Sequence, residues 1–176
     1  MKALEKEDLL SPETRTVAYT YIGSEHSWAI YKNGTIGKAK EDLERAAKAI
    51  NNDYVKSGKM AGVWVSVNKA VVTRSSAVIP IIPFYISCLF KVMKEMGLHE
   101  GCIEQTTRLY SERLYAGTEV PTDSEGRIRL DDWEMREDVQ KAVREKMKAV
   151  NQENVLKETD VSGFRHDFLE VHGFNE

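Results

Sequence analysis

The sequence has few of the residues that would staple or anchor a chain. Only two cysteines, Cys88 and Cys102, occur in 176 residues. That excludes a disulfide scaffold and a thiolate zinc cluster, and it makes a reducing, cytoplasmic setting the default. No apolar run reaches the ~20 residues that a spanning helix needs. The most apolar stretch, AVIPIIPFYISCLF at 77–90, is broken by Pro80 and Pro83. The opening MKALEKEDLL has no uninterrupted apolar segment of the kind that directs secretion. Charge of one sign is lacking too: 25 basic against 28 acidic residues leave a net charge of -3. Nucleic-acid binding through bulk electrostatics is thereby excluded. No internal repeat or low-complexity segment stands out. His166 and His172, with Asp167, lack a recognised ligand spacing, so no metal is expected. The most telling absence is a glycine-rich fingerprint between an early strand and helix, which a dinucleotide-binding half would normally supply.

What is present has the rhythm of an α/β domain. With 41% hydrophobic residues, the chain can bury a substantial core, and one domain is the simplest count. VAYTYIG at 17–23 reads as a strand ending at glycine. Asn33-Gly34 is a turn signal, and Thr35 can cap a helix from Ile36 whose apolar stripe is Ile36, Leu43, Ala46, Ala47 and Ile50. GVWVSVNKAVV at 62–72 is β-branched and apolar on both faces, as in a strand covered on each side by helices. Pro83 suits the first turn of a helix running to Met96 and stopped by Gly97. A further helix is predicted over 101–115, with Ile103, Thr106, Leu109 and Tyr110 inward. Residues 116–129 read as a polar surface excursion. Asp131 or Asp132 can cap a last long helix carrying Met135, Val139, Val143, Met147 and Val150. In the tail, Phe164, Phe168, Leu169 and Phe174 are expected to dock back.

Two stretches offer chemistry. In YKNGTIGKAK, at 31–40, a continuous helix would put Tyr31 and Lys40 about 13 Å apart on opposite faces. The Asn-Gly turn breaks that helix, so the tyrosine on the approach and the lysine one turn in can meet where orphan N–H groups favour developing negative charge. A loop tyrosine and a solvated lysine are equally compatible with the spacing. The second stretch, TRSSAVIP at 73–80, follows a strand, where open parallel sheets place ligands. Thr73, Arg74, Ser75 and Ser76 suit a phosphate or ribose, and an ordinary turn as well.

YTYIGSEHSWAIYKNGTIGKAK, VNKAVVTRSSAVIPIIPFYISCLFKVMKEMGLHEGCIEQ, GRIRLDDWEMREDVQ and ETDVSGFRHDFLEVHGF together resemble the FabV-type enoyl reductases, also called trans-2-enoyl-CoA reductases. The blocks agree in order and spacing from Thr16 onward and resemble the carboxyl-terminal part of that family. The resemblance implies the carboxyl-terminal portion of a Rossmann-like parallel-sheet domain with packed helices, preceded by a polar lead-in at 1–15. It implies a fragment without its amino-terminal nucleotide-binding half. An incomplete NADH site follows, as does either self-association or a separately encoded partner half.

The activity implied by the resemblance is NADH-dependent reduction of the trans-2 double bond of enoyl thioesters on acyl carrier protein or coenzyme A. Tyr31 and Lys40 match the family's tyrosine–lysine pair, and Tyr21 matches its additional tyrosine. Lys40, Thr73, Arg74 and Ser75 fall on the cofactor side; Tyr21, Ile79, Ile82 and Phe84 fall on the acyl side. Glu41 replaces a second lysine common in the family, and Arg74 replaces a glutamine. The alternative function is an inactive interaction module.

Overall fold

A computed structural model describes residues 1–117 and 119–174. Its sheet has three strands, β1 (Arg15–Thr20), β2 (Gly62–Val67) and β3 (Arg127–Arg129), in the order β1-β2-β3 with both pairs parallel. The helices are α1 (Lys2–Lys6), α2 (Trp28–Tyr31), α3 (Thr35–Ile50), α4 (Ile82–Glu95), α5 (Cys102–Arg108), α6 (Glu137–Ala149), α7 (Val155–Glu158) and α8 (Val161–Glu170). Wider π turns prolong α3 over Asn51–Val55 and α5 over Leu109–Leu114.

The central strand carries apolar side chains on both faces, as its composition requires. Val63 and Val65 pack with Ala47 of α3 and Tyr54, joined by Met1 and Leu10 from the start of the chain. The alternate residue Trp64 packs on the other face with Leu109, Leu114, Ile128 and Leu130. A third cluster forms around α4, which is buried nearly all round, so α6 meets it through Val139 and Val143 and α8 through Phe164 and Phe168. Asp160 ties the tail down: its carboxylate accepts the Gly163 N–H at 3.1 Å and pairs with Lys94 of α4 at 2.6 Å.

Several expectations need correction. The Rossmann-like α/β unit takes in nearly the whole chain rather than a carboxyl-terminal portion of such a domain, because both ends contribute to shared cores. The second strand stops at Val67; the Asn68 N–H still reaches the Thr20 carbonyl at 2.8 Å, and 69–72 run on outside the strand. Residues 116–129 contain β3, whose Ile128 is fully buried. Gly34 caps α3, with Thr35 already inside the helix. Ile103 and Tyr110 are exposed and Thr106 lies outward, while Gln105, Arg108 and Leu109 are buried. Gln105, Arg108 and Leu109 follow ordinary helical spacing on a different face, and the wider π turn then brings Leu114, five residues after Leu109, inward. Asp131 and Asp132 cap no helix, since α6 begins six residues after Asp131. Phe174 is 66% exposed and does not dock.

Candidate active site

The loop leaving β1 builds the first half of the site. Gly23 turns at φ +72°, and a Cβ there would lie 2.5 Å from the Tyr21 Oη and 2.4 Å from the Ser27 Oγ. Glycine lets the chain fold over Tyr21. Indole N–H donation from Trp28 to the Gly23 carbonyl, at 2.9 Å, holds the loop closed. The chain then makes the single turn of α2, ending at Tyr31, and reverses through Lys32–Gly34 into α3. A Cβ on Gly37 would fall 1.8 Å from the Lys32 carbonyl oxygen. This bare backbone lets α3 abut the preceding turn, which brings Lys40 back toward Tyr31.

Three side chains named from sequence therefore meet. The Lys40 ammonium donates to the Tyr21 carbonyl and lies 4.6 Å from the centre of the Tyr31 ring. The Tyr21 and Tyr31 rings meet edge to face at 5.1 Å. Burial lowers the Lys40 pKa to about 8, and it raises that of Tyr31 above the usual phenol value. The Tyr31 hydroxyl bonds no other protein group among the described residues, so its proton is free for a ligand. Tyr21 differs: its hydroxyl donates to Glu134 Oε1 at 3.0 Å.

The sequence reading missed Glu134, which is fully buried. Its Oε1 also accepts from the Tyr85 hydroxyl at 2.7 Å, and its Oε2 accepts the Ala70 N–H at 2.7 Å. Desolvation raises the Glu134 pKa, opposed by these donors and by nearby Lys69, whose own pKa burial lowers. The loop carrying Glu134 is pinned by its neighbours. Asp131 pairs with Arg129, while Asp132 binds Arg108 and Arg113. Arg108 also forks onto Glu100 at 2.9 and 2.7 Å and stacks over Trp133. In the sequence Glu134 stands within DDWEM, whose aspartates read as a helix cap and give no sign of the glutamate's burial.

The remaining candidates divide. Ile79 and Phe84 lie, like Tyr21 and Tyr31, on the partly buried margin of the α4 cluster. Ile82 is 1% exposed within that cluster and is a packing residue rather than a wall. Thr73, Arg74 and Ser75 are exposed; Thr73 closes a local turn with Ser76 through bonds of 2.8 and 3.1 Å. This loop ends at Ile81, held at φ +65° immediately before α4. That conformation is strained for a β-branched residue.

The family model described as "Trans-2-enoyl-CoA reductase catalytic region" matches residues 1–115. The chain belongs to the trans-2-enoyl-CoA reductase family. A second model, "Enoyl reductase FAD binding domain", matches residues 122–176. The chain is 56% identical to the trans-2-enoyl-CoA reductase [NADH] of Treponema denticola over 99% of its own length and 43% of that protein's. It is 50% identical to the enoyl-[acyl-carrier-protein] reductase [NADH] of Coxiella burnetii, with the same two coverages. A crystal structure of the Treponema denticola reductase in complex with NAD superposes with a TM-score of 0.92 at 55% identity, again over 99% of this chain and 43% of the other. The chain thus spans less than half the length of the curated reductases it matches.

The family match opens at residue 1, ahead of Thr16, and runs through two adjoining regions. The description of the chain as only the carboxyl-terminal part of such a domain is corrected accordingly, since the two family models together take in nearly all of it. Among the described residues no helix is long and apolar enough to cross a membrane.

Proposed function

We propose that this reductase-family chain acts in NADH-dependent saturation of the trans-2 double bond of enoyl thioesters carried on coenzyme A or acyl carrier protein. The observation that carries the reading is the meeting of Tyr31 and Lys40 with their donors unspent. One ammonium hydrogen of Lys40 goes to the Tyr21 carbonyl, which leaves two for the hydroxyls of a nicotinamide ribose. The exposed Arg74 and Ser75 suit the phosphates. These donors fit NADH. In the region that the second family model matches, the inward residues Ile128, Leu130, Val139 and Val143 are spent on the core, and Glu134 on the tyrosines.

Bound NADH supplies a hydride for the β carbon of the conjugated thioester and leaves as NAD+. As the new C–H bond forms, the π pair shifts toward the α carbon and charge builds on the thioester oxygen. Tyr31 donates its hydrogen bond or proton to that oxygen. Its raised pKa keeps the phenol protonated at neutral pH, as a donor requires. Lys40 adds positive charge beside the phenol in a half-buried setting where water screens little. Protonation of the α carbon completes the saturated product. Ile79 and Phe84 offer an apolar margin to the acyl chain. Tyr21 flanks the carbonyl, with its hydroxyl engaged by Glu134.

The test is NADH oxidation with crotonyl-CoA and crotonyl-acyl carrier protein, using the protein purified from its natural host. Thioester-dependent NADH consumption is expected. Tyr31→Phe should lower kcat about 100-fold or more, with a smaller change in KM, the effect of deleting one oxyanion donor. Near-normal turnover by a folded Tyr31→Phe protein would overturn the assignment.

A further inference from the structure

We propose that Glu134 is the positioning residue that holds Tyr21 in place and, through the Tyr21 carbonyl, sets the Lys40–Tyr31 pair. The path is continuous. The Glu134 carboxylate receives the Tyr21 hydroxyl, and the Tyr21 main chain receives the Lys40 ammonium. The Tyr21 ring edge bears on the Tyr31 ring. Glu134 is anchored independently of this path by the Ala70 N–H at the exit of β2 and by Tyr85 of α4. Gln140 of α6 binds both the Glu134 carbonyl and the Tyr85 hydroxyl, at 2.8 and 3.1 Å. The carboxylate thus ties the end of β1 to the exit of β2 and to α4, while α6 joins through the Glu134 main chain and Tyr85.

A carboxylate suits this position because it is acceptor-only, and three donors converge on it. A leucine of similar size would leave two phenol hydrogens and one amide hydrogen without acceptors in a dry interior. Glutamine keeps the shape and, with its oxygen on the Ala70 N–H, can donate to the phenol oxygens, but it leaves the two phenol hydrogens without the acceptor that the carboxylate supplied. Shape and hydrogen-bond number therefore separate at this residue.

The inference rests on the proposed reaction in only one of its two readouts. The first is the pH at which Lys40 becomes half-reactive toward an amine-acetylating reagent, followed by mass spectrometry of the full protein after brief pulses. Burial places that midpoint at about 8, against a usual lysine value of 10.5. Tyr21→Phe and Glu134→Ala, which cut the path, should raise the midpoint by about one unit or more as Lys40 regains water. Glu134→Gln, which keeps the shape and a bond to Tyr21 but not the phenols' acceptor, should give a midpoint between those of wild type and Glu134→Ala. Tyr85→Phe removes a more deeply buried bond to the same carboxylate but leaves the path intact, so the midpoint should not move.

General loosening of the fold would shift Tyr85→Phe as much as Tyr21→Phe, and that result overturns the proposal. An unmoved midpoint in Tyr21→Phe overturns it too. If Glu134→Ala fails to fold, the two tyrosine variants decide alone. The second readout is kcat with crotonyl-CoA, which should fall about 10-fold or more in Tyr21→Phe with KM little changed. A wild-type protein without reductase activity refutes the proposed function and leaves the Lys40 midpoints to judge Glu134.

Discussion

Replacing Arg108 by Met tests how the Glu134 loop is held. The guanidinium is 5% exposed, and it binds Glu100 twice, Asp132 at 2.8 Å and the Leu130 carbonyl at 2.7 Å. Methionine keeps much of the apolar stem that lies over Trp133 but supplies no donor. Asp132 retains Arg113 at 3.0 Å, whereas Glu100, 4% exposed, is left without its counter-charge. Removing one partner of a buried pair costs about 3–5 kcal/mol. That is a large fraction of the roughly 5–15 kcal/mol by which a domain is stable.

In urea, with a slope of about 2 kcal/mol per molar, the unfolding midpoint should fall by about 2 M. Circular dichroism reads it directly. Adding Glu100→Gln to Arg108→Met should recover much of the loss, because the uncompensated charge disappears. A shift below about 0.5 M would put the pair in the range of surface ion pairs, near 1 kcal/mol, and refute the view that it clamps the loop. So would a double variant no better than the single one.

If the charged Lys40 assists Tyr31, turnover should decline as pH rises through about 8, where the depressed lysine loses its proton; Lys40→Met should be slow throughout and lack that limb. The same depression means that the folded state binds fewer protons than the unfolded state between about 8 and 10.5. Lys40 therefore opposes stability below about 8, and this opposition is relieved as pH rises through that window, which urea titrations of wild type and Lys40→Met will reveal. Gly23→Ala should lower the unfolding temperature and raise the Lys40 acetylation midpoint, because its Cβ would strike Tyr21 and Ser27 at a positive φ. Phe84→Leu should alter the preferred acyl length among enoyl-CoA substrates, whereas Ile82→Ala should cost about 2–5 kcal/mol of stability with selectivity unchanged.

Local chemistry made part of this protein legible in its sequence. The Asn33-Gly34 turn between Tyr31 and Lys40 already allowed the pair to meet, although a loop tyrosine and a solvated lysine fit the same spacing. The apolar stretch at 77–90, with Pro83 at a helix start, announced a buried helix, and the two apolar faces of 62–72 a covered strand. The β3 strand carries only Arg-Ile-Arg, too short to declare itself, and it exists because Val65, Ser66 and Val67 offer a ladder to receive it. Leu109 is inward as expected but Tyr110 is not, and Leu114 joins Leu109 in the core through the π turn between them, a choice that depends on what packs against it. Glu134 is the clearest case. Its partners Tyr21, Ala70 and Tyr85 lie 113, 64 and 49 residues away. No local pattern distinguishes a carboxylate that will cap a helix from one that three distant donors will surround, because only the closed core removes the water that would otherwise satisfy it.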